Sequence, residues 1–244
     1  KKIATQLLIT PPALDISISP EEDINKWRDS LKGEPFGNNN IRLLSNYGKI
    51  EKLPGYNEGK WWIQDIAAQL PVKLLLKKIK KNADVIDMCA APGGKTAQLL
   101  SNNLKVTSIE SNKIRANILN RNLSRLNLKT NLLLQDANQY TPEKPADAVL
   151  LDAPCSSSGT IRKNPDILWR LKYMKNDYSS HIKSLLTIQS DLLVSASKMI
   201  KRGGILVYSV CSLDNEEGYN QIINFLKKNN RFVIDPINKL EVDI

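Results

Sequence analysis

The periodicity of the chain changes near residues 50–60. Before that point apolar positions come in short runs. Residues 13–18, Ala-Leu-Asp-Ile-Ser-Ile, alternate as a half-buried strand does, residues 21–31 have helical spacing, residues 33–40 are turn-rich, and residues 41–44 form a second strand-like run. These elements predict a small α+β module over residues 1–55, closed by a loop at Pro54-Gly55-Tyr56-Asn57-Glu58-Gly59. From Trp61 onward, compact apolar runs alternate with helical stretches. The pattern predicts helices over 64–80, 95–101, 113–126, 177–200 and 215–228. Strands are predicted over 84–88, 106–109, 131–134, 148–151 and 205–208, the last entered through Gly203-Gly204, with a final strand near Phe232. Apolar strands separated by helices make an open sheet covered on both faces, so residues 56–244 form one α/β domain. Ligands bind such sheets at the carboxyl ends of the strands.

With 244 residues the chain can bury one core without covalent staples. Its three cysteines include no Cys-x-x-Cys pair and its one histidine is His181, a set that fits neither a disulfide framework nor a cysteine/histidine metal centre. A reducing, cytoplasmic setting, a monomer and no metal are expected. No apolar run reaches the roughly 18 residues of a membrane span, so no membrane partner is expected. No secretory leader opens the chain, and its start at Lys1 suggests trimming. The 35 Lys and Arg against 25 Asp and Glu give a net charge of +10, which favours a polyanionic partner. One basic cluster, Arg162, Lys163, Arg170, Lys172 and Lys175, follows Cys155. Another, Lys73, Lys77, Lys78, Lys80 and Lys81, fits the solvated face of a helix.

The loop Cys89-Ala90-Ala91-Pro92-Gly93-Gly94-Lys95-Thr96 follows a predicted strand and ends like a nucleotide P-loop, but Cys89 stands where that motif needs its first glycine. The dinucleotide pattern Gly-x-Gly-x-x-Gly is absent as well. Glu110, at the end of the next strand, is placed to accept hydrogen bonds from a ribose, and Asp136, beyond the third strand, from an adenine amino group. The combination suits an adenosine cofactor without a pyrophosphate, such as S-adenosylmethionine, with Gly93 and Gly94 letting backbone approach it. Either acid could equally be a strand-end residue or a helix cap.

Two further cysteines follow apolar runs, Cys155 in Asp152-Ala153-Pro154-Cys155 and Cys211 in Tyr208-Ser209-Val210-Cys211-Ser212. A lone cysteine there would read as core packing. Two at strand ends of one cofactor-binding sheet point to thiol chemistry. C5 of cytosine is too weakly nucleophilic to take a methyl group unaided, but addition of a thiolate at C6 makes C5 enamine-like. A second ionisable group then helps remove the C5 proton and release the product. Cys89 is expected to pack against the cofactor.

These residues resemble the RNA cytosine-5 methyltransferase family that includes the bacterial small-subunit ribosomal RNA enzyme and the eukaryotic Nop/Sun proteins. The resemblance covers Trp61 to about Ile234, is nearest to the bacterial enzyme, and rests on Gln64-Asp65, the segment 87–96, Leu151-Asp152-Ala153-Pro154-Cys155-Ser156, Gly159 with Ile161-Arg162-Lys163-Asn164-Pro165-Asp166, and Tyr208-Ser209-Val210-Cys211-Ser212 with Glu216-Glu217. It implies a Rossmann-like S-adenosylmethionine-dependent methyltransferase fold. Cys89, Ala90, Ala91, Pro92, Gly93, Gly94, Lys95, Glu110, Asp136 and Asp152 would surround the cofactor, with Lys95 and Asp152 also near the target base. It further implies that Cys211 attacks and Cys155 assists release. The residues alone leave that assignment open, because DNA cytosine methyltransferases attack with the cysteine of a Pro-Cys pair, here Cys155. RNA, ribosomal above all, is the implied partner, contacted by Arg162, Lys163 and Arg170. A tRNA or other methyl acceptor, and a non-catalytic RNA-binding assembly factor, are the alternatives. Relatives often carry an all-helical domain ahead of the module and an Asp-Gly-Phe-Phe segment beyond Ile244, so a fragment is expected.

Overall fold

The computed structural model describes residues 12–44, 47–173 and 178–237. The first unit contains strands β1 (Leu14–Ile18), β2 (Glu34–Pro35), β3 (Asn40–Leu43) and β4 (Trp61–Ile63), with helix α1 (Ile24–Leu31). The strands form an antiparallel sheet in the order β2-β3-β1-β4. Ile16 and Ile18 of β1 pack with Ile41, Leu43, Trp27, Leu31 and Trp61 in one small core. Asp23 starts α1 by accepting from the Asn25 amide at 2.9 Å. Sequence periodicity alone did not reveal β4. Its three residues are too few to show alternation, yet Trp61 is fully buried and donates from its indole to the Pro54 carbonyl at 2.8 Å.

The second unit is a parallel sheet of β5 (Asp84–Met88), β6 (Lys105–Glu110), β7 (Asn131–Leu134), β8 (Ala146–Asp152) and β9 (Ile200–Ser209), in the order β7-β6-β5-β8-β9. Around it lie α2 (Ile66–Leu76), α3 (Gly94–Ser101), α4 (Lys113–Arg125), α5 (Asp166–Tyr173), α6 (Tyr178–Met199) and α7 (Tyr219–Lys228). Alternation along the strands explains the two covered faces. Val149 and Leu151 of β8 face a core completed by Leu192, Leu193, Ala196 and Phe225. Ala148 and Leu150 face the opposite core, with Val72, Leu75 and Leu99.

Three expectations are corrected. The helix expected over 64–80 starts later and ends earlier, because Gln64 is drawn into hydrogen bonds with Trp62 (2.8 Å) and Gln98 (2.9 Å) and Asp65 becomes the cap of α2, accepting from the Ala67 amide at 2.8 Å. The strand expected near Phe232 does not form. Phe232 turns edge-on to Phe225 with ring centroids 5.3 Å apart, and residues 232–237 join no sheet among the described residues. The glycines before the expected 205–208 strand lie inside β9, where the pairing with β8 shifts register between Ala146 and Ala148. A Cβ on Gly204 would stand 2.8 Å from the Asp147 carbonyl oxygen. Helix α5, beginning after Asn164-Pro165, was not anticipated. Lys175 of the basic cluster lies outside the described residues; of the second cluster only Lys73 lies on α2, where it is half-buried, and Lys77, Lys78, Lys80 and Lys81 are exposed beyond the end of the helix at Leu76, so the five do not make one helix face. No helix among the described residues is long and apolar enough to cross a membrane.

The two units are joined by buried polar bonds. Asp15, only 4 % exposed, accepts from Arg42 Nε at 2.7 Å and Nη2 at 3.0 Å, and also from the Ile66 amide that opens α2 at 3.1 Å. The loop after β3 and α4 meet as well, since Arg125 donates to the Tyr56 carbonyl at 2.6 Å and lies 4.1 Å from the Tyr56 ring centroid. Breaking a buried ion pair strands its partner, so Asp15→Ala should cost about 3 kcal/mol in denaturant unfolding. A loss below about 1 kcal/mol would show that Asp15 adds little to the β1–β3 pairing or to the junction with α2.

Candidate active site at the carboxyl edge of the parallel sheet

Every loop carrying a predicted site residue leaves the carboxyl end of a strand. After β5 the chain takes left-handed conformations at Cys89 (φ 60°) and Gly93 (φ 103°), and Gly93 ends the loop as the N-terminal flank of α3. A cleft of about 180 Å³ opens there, lined by Ile63, Gln64, Asp65 and Ala68 on one side and Asp87, Cys89, Ala90, Ala91, Pro92, Gly94, Lys95 and Asp152 on the other. Gly93, Glu110, Asp136, Cys155 and Cys211 lie outside this lining. A Cβ on Gly94 would meet Gln64 Cγ at an ordinary 3.7 Å, so of the two glycines it is Gly93, at positive φ, whose backbone calls for glycine.

Inside the cleft Lys95 Nζ donates to Asp152 Oδ2 at 2.6 Å, and the other oxygen of Asp152 accepts from Ser209 Oγ at 2.8 Å. This fixes the carboxylate between β8 and β9. Asp87 beneath it is fully buried and accepts from Thr96 Oγ1 at 2.6 Å; burial lifts its pKa to about 7. Burial, with the Glu110 carboxylate nearby, pushes the Cys89 thiol up to about 12, which keeps it protonated and fits a packing role.

The other two thiols are brought together. Cys155 Sγ and Cys211 Sγ are 3.3 Å apart, and Cys211 Sγ is also 3.3 Å from Ser157 Oγ. At that distance either sulfur can donate its proton in a hydrogen bond to the other. Cys211 is the more exposed of the pair, so the anion is better solvated there. The hydrogen bond from Cys155, aided by that from Ser157, brings Cys211 down to about 6, while the same contact and burial raise Cys155.

The Cys155 loop is held by Glu217, which is fully buried and accepts from the Ser156 amide (2.8 Å), Ser156 Oγ (2.5 Å) and Gln189 Nε2 (3.0 Å). Burial opposes ionisation of Glu217, but these hydrogen bonds win and keep its pKa low. Of the basic residues, Lys163 pairs with Asp65 across the mouth of the cleft, and Arg170 pairs with Asp166 at 3.1 Å. Arg162 is on the loop between Cys155 and α5. The roles of Asp87, Ser157, Ser209 and Glu217 were missed from the sequence. Asp87, Ser209 and Glu217 each stand inside a motif that carries the resemblance, whereas Ser157 had no signal.

The residues fit an adenosine cofactor. Glu110 Oε1 accepts from the Asn112 amide at 3.0 Å, but its buried Oε2 has no hydrogen-bond partner among the described residues, the Arg115 Nε lying 3.7 Å away. Such an orphaned acceptor at a strand end suits ribose hydroxyls. Asp136 spends one oxygen on the Asn138 amide at 2.9 Å, as a cap.

A parallel sheet with this loop at its edge defines the Rossmann-like S-adenosylmethionine-dependent methyltransferase fold. The crystal structure of PH0851 superposes with a TM-score of 0.84 at 30% identity, over 96% of this chain and 54% of that one. The structure of NSun6 from Pyrococcus horikoshii with SFG superposes with a TM-score of 0.77 over 93% and 83%, at 20% identity, and supports the fold. The family described as 16S rRNA methyltransferase RsmB/F matches residues 74–244, and the chain belongs to it. A relative named "Probable ribosomal RNA small subunit methyltransferase B" from Coxiella burnetii is 38% identical over 198 residues, which are 78% of this chain and 44% of that protein. The chain spans about half the length of the curated relatives it matches.

The thiol pair predicts a titration. Alkylation of Cys211 by iodoacetamide, followed by mass spectrometry, should show a midpoint at about 6 and slow as pH falls below it. In Cys155→Ala the midpoint should move upward, because the largest stabilising hydrogen bond is lost. An unmoved midpoint would remove Cys155 as its cause.

Proposed function

We propose that this chain transfers a methyl group from S-adenosylmethionine to C5 of a cytosine in RNA, and that the RNA is ribosomal. The observation that carries the reading is the pair of thiols 3.3 Å apart on the loops that leave β8 and β9, where Asp152 is bonded to Ser209 and to Lys95 of the glycine-rich segment. When bound, S-adenosylmethionine would supply an electrophilic methyl group to the electron pair at C5 and would leave as the thioether S-adenosylhomocysteine. Cys89, Ala90, Ala91, Pro92, Gly93, Gly94 and Lys95 would hold it, with Glu110 toward the ribose, Asp136 toward the adenine and Asp152 toward the reacting end.

Cys211 is ionised near neutral pH and adds to C6 of the base, sending an electron pair to C5. With its sulfur committed to carbon, Cys211 no longer needs the proton of Cys155, which becomes free to work in release. Loss of the C5 proton to a base then lets the electron pair of the carbon–sulfur bond return to Cys211. Lys95 and Asp152 orient the base. The target cytosine must leave any stack to reach Cys211, at a cost of a few kcal/mol that is least for an unpaired base. Arg162, Lys163 and Arg170 engage phosphates, and the module of residues 1–55, completed by β4, adds RNA contacts to the catalytic domain of residues 56–244. The chain works as a cytoplasmic monomer.

With small-subunit ribosomal RNA and cofactor, Cys211→Ala should abolish methyl transfer while still binding S-adenosylmethionine in calorimetry. Cys155→Ala should accumulate a protein–RNA complex that survives denaturing electrophoresis, and the double variant should not. A complex in Cys211→Ala and none in Cys155→Ala would reverse the two roles. Methylation of duplex DNA in preference to RNA would reject the substrate class. Asp152→Ala should weaken cofactor binding at least about tenfold, the loss expected of a charged hydrogen-bond acceptor.

A further inference from the structure

Three of the four tryptophans, Trp27, Trp61 and Trp62, are buried, but Trp169 is 57% exposed. Tyr173, one turn further along α5, is 76% exposed, and the two rings stack with centroids 6.1 Å apart and planes 18° from parallel. Scattered apolar side chains are ordinary on a surface; two large aromatic rings stacked together in water forgo burial that would stabilise the fold. The helix that carries them is itself anchored, because Ile167 is buried to 1%.

That helix hangs from the loop around the reactive thiols. The Gly159 amide donates to the Cys211 carbonyl at 3.0 Å, the Leu213 amide donates to Ser158 Oγ at 3.0 Å, and Lys163 bonds Asp65 on the wall of the cleft. Arg162, Lys163 and Arg170 stand on the same segment as the rings, and Asp166 is the one acid within residues 157–170, so the segment favours a polyanion. A base drawn out of its stack leaves neighbours with exposed faces, and aromatic rings beside a basic strip supply partners for such faces.

We propose that Trp169 and Tyr173 form a stacking platform for an unpaired nucleotide that flanks the target base. The assignment rests on the RNA reading above and adds to it a site outside the cleft, with single-stranded RNA as its occupant. Stacking accepts any base, so the platform contributes affinity for unpaired strand and little sequence preference.

The test is fluorescence titration of the intact chain with a short single-stranded oligocytidylate and with the same strand in a duplex, over a range of salt. Trp169→Ala and Tyr173→Ala should each weaken single-strand binding at least about fivefold, while Trp169→Phe should stay within about twofold of the unaltered chain. The slope of log Kd against log salt should not change in these variants, whereas Arg162→Ala should lower it, because rings stack on bases and cations neutralise phosphates. Unchanged S-adenosylmethionine affinity and unfolding temperature will establish that the variants are folded. Equal binding by the unaltered chain and Trp169→Ala/Tyr173→Ala would overturn the platform and leave the methyltransferase reading standing. An intact chain that binds no RNA would overturn both. A change of oligomeric state in the double variant with unaltered RNA binding would assign the rings to a contact between copies and overturn the proposal.

Discussion

The lateral pairing of β8 with β9 sets the distance between the two thiols. Asp152 lies opposite Ser209, the Ala153 amide donates to the Ser209 carbonyl at 2.9 Å, and the following turns bring Cys155 and Cys211 to 3.3 Å. Moving one strand along the other by a residue displaces the ends by roughly 3.3 Å. That is enough to break both the thiol contact and the Ser209–Asp152 bond. The irregularity near Asp147, with Gly204 against its carbonyl and Gly203 at φ 75°, therefore fixes the register of a site at the far end of the same strands.

Given that register, charge placement divides the labour. The acids nearest the chemistry differ in their surroundings: Asp152 has Lys95 and a hydroxyl, Asp87 has burial and a single hydroxyl, and Glu217 collects several donors around the Cys155 loop. The result is one carboxylate held in the cleft, one carboxyl group poised near neutrality beneath it, and one ionised anchor away from it. Cys89, Cys155 and Cys211 separate in the same way. Burial raises the pKa of Cys89, and the bond between the other two lowers that of Cys211 while raising that of Cys155.

Much of this was legible in the sequence, for physical reasons that also explain what was not. The buried strands show as apolar runs, and the alternate facing of Val149 and Leu150 follows from strand geometry. Positions such as Gly93 announce a loop because few residues tolerate its backbone. Contacts between distant segments left no local mark. Lys163 meets Asp65 across 98 residues, and Ser156 meets Glu217 across 61, so neither partner's period or composition points to the other. The β4 strand was hidden by its brevity, and the apolar residues around Phe232 read as a strand although Phe232 packs on α7 with no ladder partner among the described residues.

The central claim is that Cys211, and not Cys155, bonds to the base. Its most direct test is peptide mapping of the adduct formed with ribosomal RNA containing 5-fluorocytosine, in which the fluorine at C5 blocks the proton loss needed for release. With S-adenosylmethionine present, mass spectrometry should find the modified nucleotide on the peptide containing Cys211, with Cys155 free. An adduct on Cys155 would contradict the account.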